Sequence, residues 1–557
     1  MRSAPSTRTR PASPQDDEAP RRRLAALLVD CLALAFVWTA LVLPDTPDRL
    51  TPSALVQVPV EAVALAAMAL TLPRRPTRVL VWLVGVLLGL LTALKVAGLV
   101  SVGVLGRPFD PVTDAAHLGP AVDFVSASFG SVAAGGAAVA AVLLVVLLLV
   151  GTPLSVGRAV RLVQRRRGTS VVAVLGLTAV WSVAAVSGLG IAPREPLAAA
   201  DTVRFAEGEV RAVSSSLAEQ RRFDAAVRVD PYRRAAPGDL SALRGKDVVL
   251  AFVESYGRVA VQGQASAGVQ RVLDAGSRQL RASGYAARSA FLTSPTFGGV
   301  SWLAHSTLQS GVWVDNQSSY DRLLAGDRTS LTSAFGRAGW RTVALLPSDR
   351  GAWPQGRAHY RFDTVYDSSS LGYAGPGFGF SMMPDQYALQ AFQRLELAPS
   401  KRPPLMAEVD LASSHGPWAP VPHMLAWDGL GDGSVFAGMH DGAQTAGELW
   451  SHRDRVPAAY MASIEYSLTA LISFVERYGS DSLVLVLVGD HQPATIVSGH
   501  GGNHDVPITL VARDPEVISR ISGWGWQDGL RPGAGAPVWR MDLFRDRFLG
   551  AFGKAPR

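Results

Sequence analysis

Three polar groups in this 557-residue chain each close an apolar run, and their side chains are of the types that bind cations or move protons. Glu254 ends Asp247-Val-Val-Leu-Ala-Phe-Val-Glu254, Asp490 and His491 end Ser482-Leu-Val-Leu-Val-Leu-Val-Gly-Asp-His491, and Ser413-Ser-His415 follows the run 405–411. Carboxylates beside an imidazole suit a divalent cation. A carboxylate leaving a buried strand needs a counter-charge, because an unpaired buried charge costs several kcal/mol, roughly. Metal ligation supplies one, and helix capping is the competing reading. A fourth group is Ser301, which follows Gly298-Gly-Val300 and opens a helical stretch. A hydroxyl beside the unpaired amides of a helix start is well placed to act as a nucleophile. An ordinary N-cap is the other reading of Ser301.

These groups need a frame that brings their positions together. From residue 247 onward short apolar runs alternate with helical stretches, which predicts an α/β fold with a doubly wound, mostly parallel sheet. Strands are expected at 247–253, 342–346, 405–411, 483–488 and 507–512. Helices are expected near 269–283, 301–309, 331–338, 385–397 and 458–478. In such a sheet, loops beyond the carboxyl ends of the strands hold ligands. Three of the expected strands end in reactive side chains there.

The first half of the chain differs in kind. Charged residues make up 18% of the sequence, and the mean hydropathy is positive, which indicates a membrane part. Five apolar runs of spanning length occur at 24–43, 54–72, 79–100, 131–151 and 170–191. Residues 1–23 read as a cytoplasmic, disordered tail, 24–191 as a five-helix transmembrane domain, 192–246 as a helical linker and 247–557 as the catalytic domain. Arg74, Arg75 and Arg78 lie between the second and third runs, and Arg158, Arg161 and Arg165 to Arg167 between the fourth and fifth. Positive loops stay inside, so the amino terminus is expected in the cytoplasm and the catalytic domain outside the plasma membrane. Lys95 is expected to snorkel to the interface. The loop 106–111, fixed by Pro108 and Pro111, reads as a turn or as a platform for the catalytic domain. The formal charge of +7 is concentrated in arginine runs flanking apolar segments, and nucleic acid is not an expected partner. Cys31 is the single cysteine, so neither an intramolecular disulfide nor a cysteine metal cluster is available.

The order of Glu254, a hydroxyl residue opening a helix that closes on Leu308-Gln-Ser-Gly311, then Ser414-His-Gly-Pro417, then Gly489-Asp-His491, resembles the alkaline phosphatase and sulfatase superfamily. With five amino-terminal spans and an external domain, the chain looks most like the membrane-anchored branch containing lipoteichoic acid synthase. The resemblance covers nearly the whole chain. It implies that Glu254, Asp490 and His491 ligate a metal, with Ser301 as nucleophile and fourth ligand. Superfamily members place the nucleophile ten residues before the small residue ending its helix, which is the interval from Ser301 to Gly311. Thr296 is the alternative, because lipoteichoic acid synthases use threonine. The resemblance gives His415 a role in binding phosphate or protonating a leaving group. It makes His504, with His500 beside it, a candidate on the last Gly-rich loop. Trp353 stands where those synthases carry Trp-x-Arg to hold glycerol phosphate; here Gln355 takes the arginine position, and Arg357 or Arg350 is the expected substitute. His305 matches a histidine of phosphodiesterase relatives or is a core-facing helix residue. Only Asp410 and His415 match part of the extra set in two-metal relatives, so one divalent ion is expected, Mn2+ first, with Mg2+ or Zn2+ as alternatives.

The function this implies is transfer of a phosphoglycerol-type head group from a membrane phospholipid donor to a glycolipid or cell-wall acceptor, through a phospho-serine intermediate. Sulfatases need Pro and Arg two and four residues after the modified Cys or Ser; this chain has Leu303 and His305 there. A sulfatase or phosphodiesterase-type hydrolase, a phosphoethanolamine transferase, and a non-catalytic lipid-binding or sensory protein are the rivals.

Overall fold

The computed structural model describes residues 15–105, 108–111, 118–192, 195–233, 240–351, 353–499 and 501–553. His500 and Arg107 lie outside the described residues. The chain divides into two compact units, Met1–Val100 with Val139–Ser214, and Ser101–Ala138 with Ser215–Arg557.

The first unit is helical. Its helices are Gln15–Val42, Val60–Thr71, Arg74–Leu105, a run from Ser131–Val146 through a π-helical turn at Leu147–Gly151 into Thr152–Arg165, and Arg167–Ser187. The stretches Arg22–Val42, Arg78–Gly103, Ser131–Arg165 and Arg167–Ser187 are long and apolar enough to cross a membrane. Their outward leucines and valines, among them Leu24, Leu83, Val142, Val172 and Leu175, are exposed, as lipid-facing side chains must be. This is the organisation of a multi-pass membrane protein.

All five apolar runs form helices, with three differences from the expectation. The first helix begins at Gln15, inside the stretch read as a tail. The second is shorter than expected, because Pro52 starts a 3-10 turn and Val58–Pro59 pairs as a strand with Ala198–Ala199 before the helix begins at Val60. Arg158, Arg161 and Arg165 lie on the helix Thr152–Arg165 rather than in a loop, and Arg158 pairs with Asp30 at 2.6 Å. Nor does Lys95 snorkel: it is 1% exposed, and its Nζ donates to Thr202 Oγ1 at 3.1 Å, which itself donates to the Leu41 carbonyl at 2.8 Å. An ammonium beyond reach of water needs such fixed partners.

The second unit is built on a nine-stranded sheet. Its strands, numbered here along the chain, are β1 Asp247–Val253, β2 Ala286–Thr293, β3 Arg341–Leu346, β4 Thr364–Asp367, β5 Leu405–Leu411, β6 Leu483–Gly489, β7 Asp505–Ala512, β8 Gln527–Asp528 and β9 Val538–Arg540. The order is β8-β2-β7-β6-β1-β5-β3-β4, with β9 beside β2. From β6 to β4 the strands run parallel, whereas β7 is antiparallel to both β6 and β2. The sheet is therefore mostly parallel, as expected.

Alternation along β1 splits the core into two layers. Val249, Ala251 and Val253 pack under Ala267–Ala282, Asp385–Phe392 and Val456–Tyr478. Val248, Leu250 and Phe252 pack under Ser301–Ser310, Leu331–Arg337 and Phe544–Phe552. The helix Val456–Tyr478 is apolar enough for a span, yet its most apolar stretch is 67% buried and the helix covers the sheet as a core element. Register sets the site: Val253 of β1 lies level with Gly489 of β6 and with Leu411 of β5, so Glu254, Asp490 and Ala412 leave the sheet side by side.

Within this unit the Gly103 carbonyl accepts a hydrogen bond from the Thr495 hydroxyl, and the helix Leu118–Phe129 packs against Ala446–Ser451. The segments on either side of the 106–111 loop thus touch helices that belong to the sheet's own unit.

Candidate active site

The strand ends and one helix start bring four of the expected residues together. Ser301 Oγ donates to Glu254 Oε2 at 2.8 Å and lies 3.1 Å from His491 Nε2. His491 Nε2 is 3.3 Å from Glu254 Oε1 and 3.6 Å from Asp490 Oδ2. Asp490 is fully buried and His491 is 1% exposed.

Each side chain is held for a reason that its neighbours supply. His491 Nδ1 meets the Gln492 carbonyl at 2.8 Å, which fixes the Nδ1–H tautomer and turns the Nε2 lone pair into the site. Asp490 Oδ1 accepts from the backbone N–H of Ser255 and of His491, both at 2.7 Å. Its Oδ2 is buried without a hydrogen-bond partner among the described residues. Glu254 Oε1 accepts from Ser255 Oγ at 2.8 Å, and Ser255 adopts a positive φ of 56° to do so. Val300, just before Ser301, also sits at a positive φ of 59°. For a β-branched residue that is strained backbone, of the kind a functional turn carries. At the far end of the helix, buried Arg328 donates to the carbonyls of Ser310 and Gly311, and so fixes the element on which Ser301 sits.

The turn that follows β1 approaches β6 so closely that Gly489 admits no side chain: a Cβ would lie 2.0 Å from the Tyr256 carbonyl oxygen. Gly489→Ala is expected to cost about 3 kcal/mol of stability. Thermal unfolding of the purified protein measures it.

Electrostatics mark the pocket as a seat for positive charge. Burial works against the Glu254 carboxylate, but His415 and then His491 outweigh it and hold the carboxyl well below its usual range. Burial, and next the Glu254 charge, push Asp490 up to about 7. Burial opposes an imidazolium at His491, yet Asp490 and Glu254 raise it to about 9. Two carboxylates, one imidazole with Nε2 turned into the site and one hydroxyl fit a divalent cation, and the donor atoms of Glu254, Asp490 and His491 all lie within 4.8 Å of one another. The orphaned Asp490 Oδ2 is the atom such an ion would satisfy.

The remaining expected residues are placed as follows. His415 stacks on Phe380 with ring centroids 3.8 Å apart, and its Nδ1 lies 2.5 Å from the Gly416 carbonyl, so Nε2 is the nitrogen left for chemistry. Its neighbour Ser414 donates its hydroxyl to the Glu254 carbonyl at 2.6 Å, which holds the His415 loop beside Glu254. Thr296 is buried, and its hydroxyl lies 3.4 Å from Ser294 Oγ rather than on the ligand set. His504 Nδ1 lies 3.2 Å from the Ser294 carbonyl and its ring tilts against Phe297, on the segment leading to Ser301. Trp353 packs against Tyr360 and over Gly356. Arg357 donates to the carbonyls of Phe362 and Asp363, which occupy its guanidinium with its own turn. The guanidinium of Arg350 instead rests on Met382 Sδ, two residues beyond the Phe380 ring that stacks on His415.

Sequence reasoning missed Asp385, which anchors the His415 loop. Its N–H donates to Ser413 Oγ and its Oδ1 accepts from Ser413 N, both at 2.9 Å. Nothing local flags it, since Asp385 also reads as an acidic first-turn residue of a helix. Burial pushes its carboxyl up to about 6, against hydrogen bonds that lower it. The folded value lies above the ordinary one, so ionisation costs stability that is intact below the ordinary carboxylate range and is lost as pH rises through about 6. Asp385→Asn keeps the Oδ1 acceptor and removes that cost. The variant's unfolding midpoint relative to the parent is expected to be higher at about pH 8 than at about pH 4, a difference of up to about 3 kcal/mol. Thermal melts at the two pH values check this.

No protein-family model matches the chain. No curated relative matches it. Among solved structures it is similar to the lipoteichoic acid synthase LtaP from Listeria monocytogenes, at 15% identity over 56% of this chain and 73% of that one, with a TM-score of 0.35. It is similar to the Streptococcus pyogenes phosphoglycerol transferase GacH in complex with sn-glycerol-1-phosphate, at 11% identity over 61% of this chain and 82% of that one, TM-score 0.37. A protein in the alkaline phosphatase superfamily from Vibrio parahaemolyticus matches at 11% identity over 56% of this chain and 67% of that one, TM-score 0.34.

Proposed function

We propose that the chain is a metal-dependent phosphotransferase that moves a phosphoglycerol-type head group from a membrane phospholipid to a glycolipid or cell-wall hydroxyl. The observation that carries this reading is Ser301 Oγ, at the start of a helix and within 3.1 Å of both Glu254 and His491, beside the unsatisfied Oδ2 of Asp490. Glu254, Asp490, His491 and Ser301 would hold one divalent ion, Mn2+ by preference, with Mg2+ or Zn2+ as alternatives. When bound, that ion lowers the pKa of the serine hydroxyl and neutralises phosphoryl charge.

The chain's own groups do the rest. Ser301 Oγ attacks phosphorus, its proton leaving toward the carboxylate it already faces. The bond from phosphorus to the diacylglycerol oxygen breaks, and His415 Nε2 protonates that oxygen. A glycerophosphoryl ester on Ser301 results. The acceptor hydroxyl then gives its proton to His415 and displaces Ser301 Oγ, which takes its own proton back from Glu254. Water in that place gives hydrolysis. Arg350, Trp353 and His504 stand as the head-group contacts, with Arg350 preferred to Arg357 because the latter is engaged by its own turn. Arginine-rich segments flanking the apolar helices support a cytoplasmic amino terminus and a site on the outer side of the plasma membrane, within reach of its lipid donor.

The test is turnover of phosphatidylglycerol by purified full-length protein in mixed micelles. Diacylglycerol release that EDTA abolishes and Mn2+ restores supports the proposal. Turnover of an aryl sulfate but of no phosphodiester overturns it in favour of a sulfatase. Absence of both turnover and bound metal overturns it in favour of a non-catalytic protein.

A further inference from the structure

A second cluster of potential ligands lies one helical turn beyond the nucleophile. His305, on the helix of Ser301, faces Glu408 and Asp410 of β5: His305 Nδ1 is 3.3 Å from Glu408 Oε1 and 3.8 Å from Asp410 Oδ1. Two ligands bound to one tetrahedral cation at about 2.1 Å stand roughly 3.4 Å apart. The spacing in this cluster is of that size, and its three donor atoms all lie within 4.8 Å of one another.

Three further observations point to an ion. Asp410 Oδ1 is buried with no hydrogen-bond partner among the described residues, although it faces His305. The Glu408 side chain is 7% exposed, and the Gln309 amide donates to its Oε2 at 2.5 Å, which leaves Oε1 turned to the imidazole. The ring of His305 is stacked on Phe252 at 3.7 Å and 12°, so its orientation is set by packing. Charge gives the same result. Two carboxylates share one imidazole, so even an imidazolium leaves one negative charge uncompensated. A bound cation removes that deficit.

We infer that His305, Glu408 and Asp410 form a second divalent-cation site, separate from the Glu254, Asp490 and His491 set. One imidazole and two carboxylates select Zn2+ or Mn2+ over Ca2+. The site ties the Ser301 helix to β5, and so fixes the nucleophile along the sheet. His415, stacked on Phe380, has no part in it. This replaces the expectation of a single ion and does not depend on which phosphodiester the enzyme uses.

Metal counting tests it. Full-length protein in detergent, stripped with chelator and dialysed against Zn2+ alone or Mn2+ alone, is assayed for bound metal by mass spectrometry. The parent is expected to hold two equivalents of at least one of these ions. Asp490→Asn and Glu408→Gln are each expected to hold one, and the double variant none. Asp410→Asn, at a less buried position, repeats the Glu408→Gln test if that variant fails to fold, with circular dichroism as the check. One equivalent in the parent, lost on Asp490→Asn, overturns the second site and leaves the first intact. One equivalent that Asp490→Asn leaves and Asp410→Asn removes supports the second site and counts against the first. Two equivalents in both Glu408→Gln and Asp410→Asn also overturn the inference.

Discussion

Ser301→Ala is expected to lower kcat/KM for phosphatidylglycerol by at least about 10³-fold, equivalent to about 4 kcal/mol of transition-state stabilisation. The substitution removes the atom proposed to attack, together with its bonds to Glu254 and His491. The fold has little reason to change: Ser301 is only partly buried, and the helix is anchored at its other end by Arg328. Melting temperature should therefore stay near that of the parent while turnover collapses. Diacylglycerol release and a thermal melt on the same preparation measure the two. A comparable loss in Thr296→Ala with a silent Ser301→Ala would move the nucleophile.

The second large effect concerns Asp490. Asp490→Asn preserves the Oδ1 acceptor for Ser255 N and His491 N, yet replaces the buried, unsatisfied Oδ2 by an amide that repels a cation. Affinity for Mn2+ at the first site is expected to fall by at least about 10²-fold, and activity with it. Stability should respond in the opposite direction. Without a cation the native chain buries the Asp490 carboxyl beside Glu254, and that arrangement pushes it up to about 7. In EDTA above that pH, the folded state carries a cost that asparagine lacks, so the variant should melt at or above the parent's temperature. Calorimetric Mn2+ titration and melts in EDTA separate the two effects. A variant that binds Mn2+ normally would remove Asp490 from the ligand set.

Part of this was legible in the residues. The central strands β1 and β5 were found to the residue, because both faces of a parallel strand are buried: 248–253 is continuously apolar, and in β5 only Glu408 and Asp410 interrupt the apolar run. β2 was missed: Arg288 and Ser289 interrupt Ala286–Thr293, and the strand pairs toward the sheet edge, where burial alone does not dictate composition. β4, β8 and β9 are short and carry no period of their own. At the site, Glu254, Ser301, Asp490 and His491 were visible because each sits where a buried element ends. Asp385, Phe380 and the cluster of His305 with Glu408 were not, because their partners lie far away in sequence. Glu408 in particular sits inside an apolar strand, where its neighbours give no sign of Gln309 or His305.

Peptide mass spectrometry of the enzyme quenched during turnover of phosphatidylglycerol tests the central claim most directly. A glycerophosphoryl adduct on the peptide bearing Ser301, absent after EDTA treatment and absent in Asp490→Asn, is the predicted result. An adduct on Thr296, or sustained diacylglycerol release with Ser301 unmodified under every quench, would contradict it.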